Sequence, residues 1–167
     1  MTCRRLPWRA MLLLGGLCSL TAAPCAAAET QMEQLTRQGL EAASPEEALG
    51  FMKQALDLAP QEPLAHLNYG TILFKVGQRA LQAGQTEQGT AMFRDAEKAL
   101  QTALRLAKSE SDPVRRKQFK SQAAFLLGDM QFYVFKDKAR AKRYYQETLW
   151  YDPQHPGALA ARERFED

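Results

Sequence analysis

Three stretches decide the fold: ALGFMKQALDLAP (48–60), AEKALQTALRL (96–106) and AKRYYQETLWYDP (141–153). Each opens on a small residue (Ala48, Ala96, Ala141) and carries a large one four positions later (Met52, Leu100, Tyr145). A small residue, a Leu and another large residue follow: Ala55-Leu56-Asp-Leu58, Ala103-Leu104-Arg-Leu106 and Thr148-Leu149-Trp-Tyr151. This spacing puts the apolar side chains on one face of an α-helix. Pro60 and Pro153 stop the first and third of these helices, because proline lacks the amide hydrogen that a continuing turn needs.

A partner helix precedes each stretch. Ala65 to Leu73, containing Tyr69-Gly70, precedes the second, and Ala123 to Phe132, containing Leu127-Gly128, precedes the third. Met32 and Leu35 hold the matching places before the first, where Thr36 stands in place of the glycine. With Tyr69-Gly70, Leu127-Gly128 and the three Ala-led stretches on the page, the chain resembles the tetratricopeptide repeat family. That family's pattern is Trp-x2-Leu-Gly-x2-Tyr, then Ala-x3-Phe and a closing Pro, in about 34 residues. The resemblance implies an all-α fold: antiparallel helix pairs stacked as a short α-solenoid of about three repeats, ending in a C-terminal capping helix.

The repeats are longer than the family's. Their starting alanines at 48, 96 and 141 are 48 and 45 residues apart. The excess over about 34 is close to four and three helical turns at 3.6 residues each. Whole turns keep the buried faces in phase, so the sequence predicts lengthened helices: Pro63 to Ala83, Glu87 to Lys108 and Pro113 to Phe135. Ser44-Pro45-Glu46-Glu47 reads as a capping box and Asp112-Pro113 as a second N-cap. Gly84 is placed as a C-terminal stop. His155-Pro156 opens a final short helix that would cap the stack, with His155 as a solvent-facing cap. No strand pattern appears.

Residues 1–28 read as a cleaved signal peptide, leaving a helical repeat domain over 29–167. Arg4, Arg5 and Arg9 precede the apolar run MLLLGGLCSLTAA (11–23), and Ala26 and Ala28 stand in the arrangement a signal peptidase recognises. The 13-residue run falls short of the ~20 that cross a bilayer as a helix. A periplasmic or secreted location follows. Cys3, Cys18 and Cys25 all precede Glu29, so an exported chain would hold no disulfide and no thiolate ligand or nucleophile.

The sequence offers no enzyme chemistry. His66 and His155 are the only histidines, no partner stands at catalytic or metal-ligand spacing, and no glycine-rich phosphate loop occurs. We expect no catalytic residue, metal or cofactor. His66 reads as a packing residue. From Glu29 onward 19 basic residues balance 19 acidic ones, which argues against nucleic acid as a partner. The charge is nonetheless uneven: 29–112 carries −4, 113–143 carries +7 and 144–167 carries −3. Arg115, Arg116, Lys117 and Lys120 form a candidate basic face at the start of one helix, and Lys136, Lys138, Arg140, Lys142 and Arg143 surround its far turn. This 113–143 face, open to anionic lipid or an acidic partner, is the only region offering contact with a membrane. The other reading is a solvated face paired with acidic neighbours.

Tetratricopeptide arrays bind peptide or protein segments on the first helix of each pair. Carried over by position, that groove would hold Arg37 and Leu40, then Leu67, Thr71, Phe74 and Lys75, then Asp129, Phe132 and Tyr133. Phe74 suits the core of the lengthened helix equally well. The late aromatics, from Phe125 to Tyr151, read mostly as core, although Phe132 and Tyr133 cannot share one buried stripe. The resemblance thus implies an exported, non-catalytic interaction scaffold. A carrier of a small apolar ligand, or an accessory subunit of an envelope enzyme, is the rival reading.

Overall fold

The computed structural model describes residues 23–165. Seven α-helices follow one another: α1 (Ala23–Glu41), α2 (Pro45–Leu58), α3 (Pro63–Gln82), α4 (Thr86–Leu106), α5 (Pro113–Asp129), α6 (Lys138–Tyr151) and α7 (Pro156–Glu163). There is no strand among the described residues. The expected leader lies outside them up to position 22. No described helix is long and apolar enough to cross a membrane.

The helix ends show why the chain breaks where it does. At α2, Ser44 Oγ accepts the Glu47 amide at 3.1 Å, and the Glu47 carboxylate reaches back to the Ala43 amide at 3.1 Å. The return arm of the capping box therefore lands one residue earlier than the standard pairing with the N-cap amide. Asp112 and Asp137 cap α5 and α6 by accepting the amides of Val114 and Arg140. At the end of α3, Gly84 takes φ +77°, and the amides of Gly84 and Gln85 bond to Leu81 O and Ala80 O at 3.0 and 2.8 Å. That pair of bonds is a Schellman motif, whose left-handed position glycine fills without a Cβ clash.

The long helices expected over 63–83 and 87–108 form, the second ending in a 3₁₀ turn at Ala107–Ser109. The third differs from expectation. It leaves α-geometry after Asp129 and continues as a π-helical turn over Met130–Val134. The wider turn resolves the conflict between neighbouring aromatics. It buries Met130 and Gln131, leaves Phe132 half-buried and turns Tyr133 outward at 47% exposure.

Each helix packs on the next, and the α3–α4 interface is the most extensive. In addition α1 touches α3 and α3 touches α5. One contact recurs three times. A Cβ placed on Gly39 would fall 2.6 Å from Met52 Cε, one on Gly70 2.8 Å from Leu100 Cγ, and one on Gly128 2.8 Å from Tyr145 Cε1. These partners are the large residues of the three Ala-led stretches. The register before the first stretch is accordingly corrected: Gly39, not Thr36, matches Gly70 and Gly128. Beyond this contact the lengthened α3–α4 pair crosses at Gly77 and Gly89, each lying against the other's carbonyl. Phe74 and Phe93 meet there edge to face, with ring centroids 5.5 Å apart.

The three contacts predict graded sensitivity. Gly128→Ala should destabilise by about 1–3 kcal/mol, because the buried, hydrogen-bonded Tyr145 ring has no room to yield. Gly39→Ala should cost least, since the mobile end of Met52 can swing aside. Gly50→Ala, with nothing within 4 Å of its Cβ position, should stabilise by about 0.5–1 kcal/mol. Urea unfolding of the three variants measures the order. Equal effects at Gly50 and Gly128 would contradict it.

Candidate functional site

Aligning the first helices on Gly39, Gly70 and Gly128 gives a row one residue later (Leu40, Thr71, Asp129) and another five residues later (Ser44, Lys75, Tyr133). Because α1 adjoins α3 and α3 adjoins α5, the first row sits on neighbouring helices. Of the second row, Ser44 lies past the end of α1 as the N-cap of α2, Lys75 lies on α3 and Tyr133 on the π-turn after α5. Leu40 is 71% exposed and Lys75 is exposed, whereas Thr71 is half-buried and bonds back to Leu67 O at 2.7 Å. Arg37 is exposed but two residues before Gly39, so Leu40 is the counterpart of Thr71 and Asp129.

Two expected groove residues are core residues. Leu67 is 3% exposed and Phe74 is 9% exposed, both within the main apolar cluster. The reason is the α3–α4 pairing, which brings the Phe93 ring of α4 against Phe74 edge to face.

Asp129, Phe132 and Tyr133 come together at the end of α5, but the chain's own C-terminal turn lies on them. Arg164 bonds to the Tyr133 hydroxyl, and its guanidinium also lies over both the Phe132 and Tyr133 rings. Phe165 meets Phe132 edge to face at 5.6 Å. Tyr145 OH donates to Asp129 Oδ1 at 2.8 Å. Burial raises the Asp129 carboxyl above its ordinary pKa, against the opposing pull of that hydrogen bond and of Arg164 and His155. Tyr145 is pushed up by burial and by the carboxylate it faces.

The basic residues at the start of α5 are largely engaged with their own chain. Arg116 donates to Glu110 O at 3.0 Å, Arg115 approaches the Glu110 carboxylate at 3.8 Å and lies over the Phe119 ring, and Lys120 lies over Tyr151. Lys117 is the member of the four for which no such contact is seen among the described residues. Both histidines cap turns. His66 Nε2 bonds to Pro60 O at 3.0 Å. His155 Nδ1 accepts the Ala158 amide, and the ring stacks on Phe125 at 4.4 Å, so it is half-buried rather than solvent-facing.

Two features escaped the sequence reading. Gln131, 1% exposed, donates to Glu97 Oε1 at 2.8 Å and ties the π-turn to α4. A polar residue between Met130 and Phe132 was the only signal for it. Trp150, one of the late aromatics read mostly as core, is 81% exposed. Surface cavities of about 460 Å³ and 230 Å³ lie beside α5 and between α6 and α7. Lys117, Gln118, Gln122 and His155 line the larger, and Lys142, Gln146, Leu149 and Phe165 the smaller.

The Asp129 site carries a pH signature. A raised native pKa means that the folded chain holds this proton more tightly than the unfolded one. Its contribution to stability is therefore greatest in acid and falls as pH rises through the native pKa. Asp129→Asn keeps an oxygen acceptor for Tyr145 and removes the titration. Its melting temperature relative to the parent should rise between about pH 3 and pH 7. A relative melting temperature that is flat or falling over that range would contradict the burial-dominated environment.

No protein-family description matches the chain, and no curated protein shows detectable similarity to it.

Proposed function

We propose that this chain is an exported, non-catalytic interaction scaffold of tetratricopeptide-like build, which holds an extended protein segment across α1, α3 and α5. The observation that carries this reading is the Gly-to-large-residue contact made three times between successive helices, with the first helices touching one another. Side-by-side first helices form a continuous ribbon of surface, as a bound segment needs. Leu40 and Lys75 are its accessible members. An apolar side chain and a cation suit a segment that pairs a hydrophobic residue with a carboxylate. Tyr133 closes the ribbon at the α5 end, where Arg164 must move before a partner reaches its hydroxyl. The rival carrier reading has weaker support, since the larger cavity is lined mainly by polar and charged side chains.

Capture of proteins from the native envelope fraction tests the ribbon. Leu40→Ala and Lys75→Ala should weaken capture while leaving thermal unfolding unchanged, because both side chains are exposed. Phe74→Ala should instead cost about 3–5 kcal/mol of stability as a core truncation. Normal capture by the Leu40→Ala/Lys75→Ala double variant would overturn the ribbon as the binding surface.

Export has its own test. The N-terminus of the chain recovered from its host should fall within a few residues of Glu29. Recovery in the membrane with Met1 retained would overturn cleavage and favour an anchor.

A further inference from the structure

The outer face of α6 is the least explained surface of the molecule. Ala139, Arg143, Gln146 and Trp150 recur at intervals of four, three and four residues, which places them in one stripe along the helix. All four are exposed, and Trp150 is 81% exposed. Lys142 and Arg140 flank the stripe and are also exposed. Arg140 pairs with Asp137 at 3.5 Å, while Lys142 and Arg143 have no ion-pair partner among the described residues. The one carboxylate at the margin, Glu147, accepts a hydrogen bond from the Tyr151 hydroxyl at 3.3 Å.

Such a stripe does not serve the fold. The opposite side of α6 carries the packing, through Ala141, Tyr145 and Thr148, all buried. Lys142 and Gln146 border the smaller surface cavity, whereas Trp150 lines neither of the two. A single helix face with an indole at one end and two cations without ion-pair partners about two turns away, roughly 11 Å along the axis, offers an acidic partner no cavity that joins the indole to the cations. It does match a planar anionic surface. Indole rings settle at the headgroup level of a bilayer, and lysine and arginine are drawn to anionic lipid.

We propose that the outer face of α6 is a docking surface for an anionic lipid bilayer, with Trp150 entering the headgroup layer and Lys142 and Arg143 binding lipid phosphates. None of the ribbon residues Leu40, Thr71 and Lys75 lies on α6. The inference stands independently of the proposed function, and loss of one activity need not affect the other.

The test uses the chain from Glu29 onward, the form export would leave, in which Trp150 is the single tryptophan and reports on its own surroundings. Vesicles of phosphatidylcholine with about one-third phosphatidylglycerol should shift its emission to the blue, and brominated lipid should quench it. Pure phosphatidylcholine should do neither. Salt near 1 M, where the Debye length is about 3 Å, should reverse the shift. Each cation is worth about a fivefold gain in partitioning onto an anionic surface, so Lys142→Glu with Arg143→Glu should lower it by roughly 25-fold or more. Both positions are exposed, and unchanged thermal unfolding of that variant confirms that the loss is local. An emission spectrum that does not move overturns the proposal, as does an equal shift on neutral vesicles. A shift produced by poly-glutamate but not by anionic vesicles also overturns it, and assigns the face to an acidic protein.

Discussion

A glycine on one helix set against a bulky side chain on the next is the contact on which this molecule depends. Without a Cβ at Gly39, Gly70 or Gly128, the facing helix can approach until Met52, Leu100 or Tyr145 fills the gap. Small residues one turn away on the second helix, Ala48, Ala96 and Ala141, are all buried and keep the approach close. Dispersion and apolar burial both depend on that proximity, because they fall off within fractions of an ångström once a gap opens. The three partners differ in character. Methionine adapts, leucine packs, and tyrosine adds a hydrogen bond to Asp129. The same geometric device therefore yields a soft junction at the N-terminal end and a rigid one at the C-terminal end.

The α3–α4 pairing has consequences for the surface. It extends the core past the Gly70 contact, brings Phe93 over Phe74 and lets Gly77 and Gly89 cross closely. At the other end the π-turn shifts the helix phase, burying Gln131 against Glu97 and turning Tyr133 outward, where Arg164 meets it. Both features act on the surface available to a partner. One removes Phe74 from it, and the other occupies Tyr133 with the chain's own C-terminus.

Charge is distributed with similar consequences. The cations that open α5 are tied to Glu110, Phe119 and Tyr151, so much of the basic excess of this region is turned toward the protein itself. Those of α6 point away from the packed face. Equal numbers of basic and acidic residues after position 28 conceal this separation.

The helices and their ends were legible from the amino acids alone, because their causes are local. Apolar residues at helical spacing, Ser44 and Asp112 before prolines, and Gly84 in a left-handed turn each act within a few residues of themselves. The three Ala-led stretches were legible for the same reason, and they fall on the second helices of the close contacts. Which residues remain accessible was not local. Phe74 and Lys75 are neighbours in sequence, yet one is covered by Phe93 of another helix and the other faces solvent. Gly39 was passed over for Thr36 because only the position of Met52 across the interface distinguishes them. The π-turn, the burial of Gln131, the occupation of Tyr133 and the exposure of Trp150 depend on helix phase and on partners distant in the chain. Local sequence determines where helices begin and end. Tertiary packing decides what each one shows to the outside, because burial is a property of the neighbour as much as of the residue.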